Sequence, residues 1–479
     1  MIEQPGQIRP ASQTMRLIVI GGGYTGAAVV IHAIRTTSRP LHIDLVEPQA
    51  DLGFGTAYGT LDPVHRINVP TNKMSVLPDD VDHLTRWLFD HQALPDAAST
   101  DPQGHHYVPR HAYGRYIEAT LREAIVSARD RVSFRHHVAT ASAVDPSDEL
   151  GAAWTVTLAG EAEPLQGDVV ALCTGHSPPL LPCLVSAAAL ADPRFIRNPW
   201  RRDAFAPIGR LDDVLIVGTG LSMADVIASL DRAGHSGAVT AVSRRGLLAL
   251  PHGTFVDGID FLDGYDLPQT ALDLLRLVRR RMRDAAPTPG WQAMADAFRS
   301  RLPEIWRALP AKEQRRVVHR LLPFWEVHRF RIAPQPHKLI ERQRELGRLK
   351  LERASLVGID QDGDRLVATL KRPGHRRNDR SFNAIVLCTG PGKAIADVPL
   401  LRHLLDHGLA RPDAIGQGTE TDLGSRIVDC EGRPQSGLLA IGPLTRGSFG
   451  EMTGAPDIVR HIARVMVGLL EPASTDTLV

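Results

Sequence analysis

An α/β fold with two Rossmann-like domains and a helical insertion is predicted by three features of this 479-residue chain. An apolar strand runs into a glycine turn and then a helix at RLIVIGGGYTGAAVVIHAI, residues 16–34. The same order returns at VLIVGTGLSMADVIASL, residues 214–230. Two further apolar strands, VVALCTGH at 169–176 and AIVLCTGP at 384–391, carry one shared tetrapeptide, LCTG. Strand, glycine turn and helix N-terminus together aim backbone N–H groups and a positive helix end at a phosphate, so each turn reads as a dinucleotide cradle.

In the first cradle Gly21, Gly23 and Gly26 supply the three glycines of GxGxxG: the tight turn, the close approach to a pyrophosphate, and close helix–sheet packing. The next strand, LHIDLVE, ends in Glu47, where an acid accepts from the ribose hydroxyls of an adenosine. A second glycine-rich stretch, DLGFGTAYG at 51–59, then runs under an extended cofactor. This is the pattern expected for FAD. The second cradle keeps Gly218 and Gly220 and opens its helix with Ser222, but Met223 stands at the third glycine position, so helix and strand pack less closely or the helix tilts. Its following strand, AVTAVS, ends in Ser243, Arg244 and Arg245. Two guanidiniums there suit a 2′-phosphate and favour NADPH over NADH. The alternative is a solvated strand end. Two cradles in one chain imply that NADPH delivers a hydride to FAD.

Along the chain we expect a disordered lead at 1–14, an FAD domain at 15–200 and again at 381–479, and an NADPH domain at 201–380 inserted between them. The LCTG strands serve as hinge strands, with Thr174 and Gly175 beside the cofactor. Residues 266–350, rich in Leu, Arg, Glu and Ala at helical spacing, form the helical insertion. Its arginine runs read as a solvated helix face.

Composition removes several classes. The 55 Lys and Arg nearly cancel the 54 Asp and Glu, so no net field favours nucleic acid or an anionic membrane, and the expected partners are small molecules. No apolar run approaches the roughly 18 residues of a membrane span, and MIEQPGQIRPASQTM lacks a signal-peptide core, which leads us to expect a cytoplasmic protein. Cys173, Cys183, Cys388 and Cys430 form no CxxC pair, which disfavours a zinc knuckle or a redox dithiol. His105-His106 and His136-His137 are adjacent and not spaced as metal ligands, and no metal is expected.

GGGYTG, GFGTAY followed by HRINVPTNKMS, YVPRHAYGRYI, the LCTG strands, GTGLSMADV, WEVHRFRIAP and LLAIGPLTRGSFGEMTGAPDI span nearly the whole chain. On them it resembles the two-dinucleotide-binding flavoproteins, most closely a bacterial branch of FAD/NAD(P)-binding proteins related to the flavin-containing and N-hydroxylating monooxygenases. The resemblance implies FAD at the first cradle, NAD(P)H at the second, and an active site in the cleft between them. Asn68 and Lys73, with Arg66 ranked below them, would border the flavin. Gly442, Gly454 and Ala455 would face its pyrimidine side, although Pro443 replaces the aspartate that relatives often carry after the glycine. His328, Arg329 and Arg331, beside Trp325, would suit a carboxylate substrate such as an amino acid; ordinary ion pairs, or support of the NADPH phosphates, are equal readings, and Arg110 is as ambiguous. RFIRNPWRRD has Trp200 but lacks the Gly and His of a Baeyer–Villiger signature. The expected activity is NADPH-consuming, FAD-dependent N-hydroxylation of a small amine or amino acid by molecular oxygen through a flavin C4a-hydroperoxide. A reductase or oxidase passing electrons to a quinone, a protein or oxygen is the alternative, and a non-catalytic flavin redox sensor is the third reading.

Overall fold

The structure, a computed structural model, describes residues 14–471 except 95–98, 102, 150, 178, 254, 257, 289 and 393. Residues 1–13 of the expected lead thus lie outside the described residues.

Strands that are apolar on both faces must be covered on both, and parallel sheets do this with crossover helices. Met15–Ile20 buries every residue but Arg16, and Val214–Val217 buries all four. Each is an inner strand of its own sheet. In the first sheet the order is Arg426–Val428, Pro434–Ala440, Val169–Leu172, Met15–Ile20, Leu41–Val46 and Val132–His137, parallel except for the first strand. In the second it is Leu349–Arg353, Val239–Ser243, Val214–Val217, Ala384–Leu387 and Phe195–Ile196, all parallel.

This order corrects the expected boundaries. Ala384–Leu387 pairs with Val214–Val217, with Val214 opposite Ala384, so the chain returns to the first sheet after this strand and not at 381. Phe195–Ile196 already belongs to the second sheet, before residue 201. The repeated LCTG now has a reason beyond a hinge: in each sheet the strand ending in it lies immediately beside the cradle strand.

The expected insertion is helical, built from Ala271–Asp284, Trp291–Ala308, Ala311–Arg316, Leu322–Arg329 and Pro334–Glu345. Thr270 starts the first of these by accepting from the Asp273 N–H at 3.1 Å, with the Asp273 acid at the positive helix end. Phe261, Phe298, Ile305 and Trp306 form its apolar centre. Trp306 also reaches out of it. Its indole N–H donates to the Gly447 carbonyl at 2.7 Å, and a Cβ at Gly450, where φ is +73°, would lie 2.7 Å from the ring. The insertion is thereby seated on the C-terminal part of the first domain. Among the described residues no helix is long and apolar enough to cross a membrane.

The first cradle helix, Tyr24–Thr36, is buried from Tyr24 to Ile34 and packs against Arg110–Ser127 and Ala455–Leu470. Two buried histidines brace this layer. His32 Nε2 lies 2.9 Å from the Val76 carbonyl, and His461 Nε2 lies 2.6 Å from Ser425 Oγ. Burial holds both below the ordinary histidine range, His461 down to about 4. A histidine released on unfolding titrates near 6.5, so below that pH the unfolded chain binds more protons and stability falls as pH drops toward about 4. Melting temperatures across that window are expected to decline, and less steeply in His461→Gln. An equal slope in both proteins would refute the role of this histidine.

Candidate active site

The first cradle is shaped by what lies behind it. Gly21 has φ +103° and donates to the Val46 carbonyl at 2.8 Å; a Cβ there would sit 2.5 Å from the Cys173 carbonyl oxygen. A Cβ at Gly26 would run into the Gly21 carbonyl. Glu47 Oε2 accepts from the Gly22 N–H at 2.7 Å, which holds the strand-end acid against the turn. The glycine-rich stretch crosses the same turn, with Gly53 N–H on the Gly22 carbonyl at 2.8 Å and Gly55 Cα lying 3.3 Å from where a Gly23 Cβ would be. Gly442 sits beside Thr25, where a Cβ would come within 2.9 Å of the hydroxyl. The C-terminal helix Ala455–Leu470 begins at Gly454 and is tied to the cradle by Tyr24, whose hydroxyl donates to the Ala455 carbonyl at 3.0 Å. Thr174 and Gly175 follow Cys173 along the same rim, with open space around Gly175.

The second cradle repeats the device. Gly218 has φ +115°, donates to the Val242 carbonyl at 2.8 Å, and is backed by the Cys388 carbonyl group, whose carbon lies 2.7 Å from the Cβ position. Nothing lies within 4 Å of a Gly220 Cβ. Met223 is buried in the apolar core of this domain, so packing absorbs the missing third glycine, while Ser222 is half-buried in the first turn. Ser243 faces inward: its hydroxyl accepts from the Gly246 N–H at 3.0 Å and lies 2.8 Å from Thr219 Oγ1, bracing the loop. Arg244 and Arg245 are exposed, and Arg245 stands over the Phe324 ring at 4.9 Å. A pocket bounded by Thr219, Gly220, Leu250, Pro251 and His337 opens beside the turn.

Both cradles fit a pyrophosphate. The helices Tyr24–Thr36 and Leu221–Arg232 start at glycines in extended conformation, and no side chain caps either N-terminus. Their first N–H groups keep their donor capacity for an anion.

The four candidate catalytic residues meet along one seam between the first domain and the insertion. Asn68 donates its side-chain amide to the Arg331 carbonyl at 3.2 Å, and its own carbonyl lies 2.7 Å from His252 Nε2. Lys73 stands 4.3 Å over the Phe255 ring, which packs on His252. Arg331 and His328 both face Trp291. The structure changes what the arginines do. Arg331 is buried and bound at both nitrogens by Asp296, at 2.8 and 3.2 Å. Arg329 is paired with Glu451 and donates to Thr453. Arg66 donates to Ser99 Oγ at 2.9 Å. These guanidiniums hold the seam together, which removes the argument that Arg329 and Arg331 await a substrate carboxylate.

A second seam was not foreseen. Arg110 pairs at 2.7 Å with Asp225 on the helix of the second cradle, stacks near Trp200 and donates to the Arg66 carbonyl. His65 lies 2.8 Å from Ser229 Oγ on that helix, and Asp62 accepts from the same hydroxyl at 2.7 Å. Burial lifts Asp225 and depresses His65 from their ordinary values, although each is the other's opposite charge when ionised. The sequence signal was an acid, Asp225, within the stretch from Met223 to Leu230 that the helix buries.

Residues 18–177 match the family model described as FAD-NAD(P)-binding. Among solved structures the chain is similar to the ornithine N-hydroxylase of Kutzneria sp. 744, at TM-score 0.61 and 16% identity over 96% of this chain and 99% of that one, in a complex with reduced FAD, NADP+ and L-ornithine. The fold is that of the two-dinucleotide-binding flavoproteins. The same flavoprotein fold relates it to the L-lysine 6-monooxygenase of Pseudomonas syringae, at 0.59 and 17% over 96% and 99%. It also relates it to the bacillithiol disulfide reductase of Staphylococcus aureus, at 0.54 and 12% over 96% and 100%. No curated protein matches the chain. Hydroxylases and a disulfide reductase thus share this fold, and the chemistry must be argued from the site.

Proposed function

We propose that this chain is an FAD-dependent, NADPH-consuming monooxygenase that N-hydroxylates a small amine or amino acid. The observation that carries the reading is the cysteine set. All four cysteines are free, and Cys173 and Cys388, the two beside the cradles, are buried with their thiols pushed up by burial. A dithiol acceptor is therefore not at hand, which argues against disulfide reduction by this chain. Bound in the first cradle, FAD would supply hydride acceptance and oxygen chemistry.

The chain's own groups hold and orient. Glu47 would take the adenosine ribose, the glycine turns and uncapped helix ends the pyrophosphates, and Thr174, Gly175, Gly442, Gly454 and Ala455 the rim beside the ring. Arg244 and Arg245 would take the 2′-phosphate of NADPH, with Ser222 and Ser243 shaping the turn beside them. Asn68 and Lys73 would border the flavin, His328 would line the substrate side, and Arg331 would position Asn68 through its carbonyl. The insertion, held on the first domain by Trp306, would keep bulk water from the cleft.

Protein loaded with FAD and supplied with NADPH, oxygen and ornithine, lysine or cadaverine in turn tests the reading. A hydroxylamine product, heavier by one oxygen and formed in step with NADPH loss, is the expected result for at least one amine. Hydrogen peroxide equal to the NADPH consumed with every amine would instead favour the oxidase. Arg244→Ala with Arg245→Ala is expected to weaken NADPH binding roughly ten-fold while leaving NADH unchanged, the size of one charge-assisted hydrogen bond.

A further inference from the structure

The first cradle is flanked by an unusual concentration of one residue type. The chain has six tyrosines, and four of them, Tyr24, Tyr58, Tyr113 and Tyr116, touch in one cluster beside the glycine turn. Tyr24 directly follows Gly23, and Tyr58 ends the short helix that begins at Gly55, where the glycine-rich stretch crosses the turn. Ring centroids are 6.0 Å apart from Tyr24 to Tyr113, 5.8 Å from Tyr113 to Tyr116, and 5.6 Å from Tyr116 to Trp87. Trp87 is only partly buried and stacks at 4.4 Å on His91, whose side chain is exposed. The row therefore runs without a gap from the cradle to the surface.

Packing alone does not explain the choice of tyrosine. Each buried hydroxyl has to be supplied with a partner, a cost that phenylalanine of the same shape avoids. Partners are supplied: Tyr24 donates to the Ala455 carbonyl, Tyr113 to the Met74 carbonyl at 2.8 Å, and Tyr116 accepts from the Val76 N–H at 3.1 Å. His83 Nδ1 lies 2.8 Å from the Tyr116 hydroxyl, within reach of its proton, and burial lowers this histidine from its ordinary range. What tyrosine and tryptophan share, and phenylalanine lacks, is ready one-electron oxidation.

We propose that Tyr24, Tyr113, Tyr116 and Trp87 form a relay that carries one-electron oxidising equivalents from the first cradle to the protein surface. The inference rests on FAD occupying that cradle. Tyr24, whose hydroxyl is bonded to the Ala455 carbonyl on the rim assigned to the ring, would give up one electron to a one-electron oxidant held there, for which light-excited FAD is the accessible case. Tyr113 and then Tyr116 refill the vacancy in turn, Tyr24 and Tyr113 keeping their protons in the bonds to Ala455 and Met74. Tyr116 passes its phenolic proton to His83 Nδ1 as it gives up its electron. Trp87 then returns an electron to Tyr116, which recovers its proton from His83. The indole releases its N–H proton to water and is restored by a one-electron reductant of the thiol or ascorbate class. One electron has moved inward and the cradle oxidant is reduced by one. The relay would spare the buried site from oxidising equivalents that miss their substrate.

Flash photolysis of the FAD-loaded full chain, read by transient absorption and electron paramagnetic resonance, tests the relay without requiring any turnover. The expected wild-type result is a long-lived tryptophan radical. Trp87→Phe is expected to lose it and to recombine faster, Trp87→Tyr to restore a long-lived radical of tyrosine type, and Tyr113→Phe to cut the path upstream. A Trp87→Phe protein that decays like wild type, or FAD-loaded protein that forms no aromatic radical, overturns the relay and leaves the proposed function standing. A chain that takes up no FAD overturns both.

Discussion

Gly21→Ala is expected to yield protein that binds no FAD, whereas Gly218→Ala is expected to keep FAD and lose its reduction by NADPH. The two positions are geometric twins. Each has a positive φ, +103° and +115°, that an L-residue rarely adopts, and each has a carbonyl of the neighbouring strand where a Cβ would go. Forcing a side chain into such backbone costs about 1–3 kcal/mol, and overpacking against main chain adds a similar amount. The strain is relieved most readily by moving the turn, which withdraws the N–H groups that face the pyrophosphate. Flavin content by absorbance and anaerobic NADPH titration separate the two outcomes. If Gly218→Ala lost its flavin as well, or Gly21→Ala retained it, the assignment of one dinucleotide to each turn would fall.

Arg329→Ala should be the most destabilising side-chain truncation in the seam. The guanidinium is buried, paired with Glu451 and over the Phe330 ring at 4.0 Å, and burial lowers its hold on its proton to about 9. Removing one member of a buried pair costs about 3–5 kcal/mol, because the remaining charge stays behind without its counterpart. Arg299, 3.7 Å from Glu451, provides some relief and points to the lower part of that range. A double variant with leucine at both 329 and 451 should recover much of the loss, since apolar pairs of similar volume replace buried ion pairs well. Thermal melts of the single and double variants check this, and an unshifted single variant would show that the pair contributes nothing.

Much of the cradles was legible because their chemistry is local. Gly21, Gly23, Gly26 and Glu47 act within one strand–turn–helix–strand unit, and backbone rules for glycine and helix ends apply to short sequence windows. The strand Ala384–Leu387 was misplaced for the opposite reason. Its partner is Val214–Val217, and an apolar tetrapeptide says nothing of which of two sheets it joins. Arg331 shows a further limit. Its neighbours in WEVHRFRIAP suggested a substrate-binding cluster, but its counter-ion, Asp296, lies a helix away. Tyr24, Tyr58 and Tyr113 are likewise remote in sequence, and their cluster appears only when the glycine-rich crossing brings them together.

The two seams also bear on how the molecule comes apart. Asp225 on the second cradle helix is matched by Arg110 of the first domain, and Glu451 of the first domain by Arg329 of the insertion. If either sheet opened by itself, a charge placed for burial would be left without its mate, and the Trp306 indole would leave the Gly447 carbonyl bare. Partial opening would therefore forfeit much of the stabilisation that complete opening forfeits. Two sheets, each with its own apolar centre, are in this way joined into one cooperative unit, and the chain is expected to lose both nucleotide sites in a single melting transition.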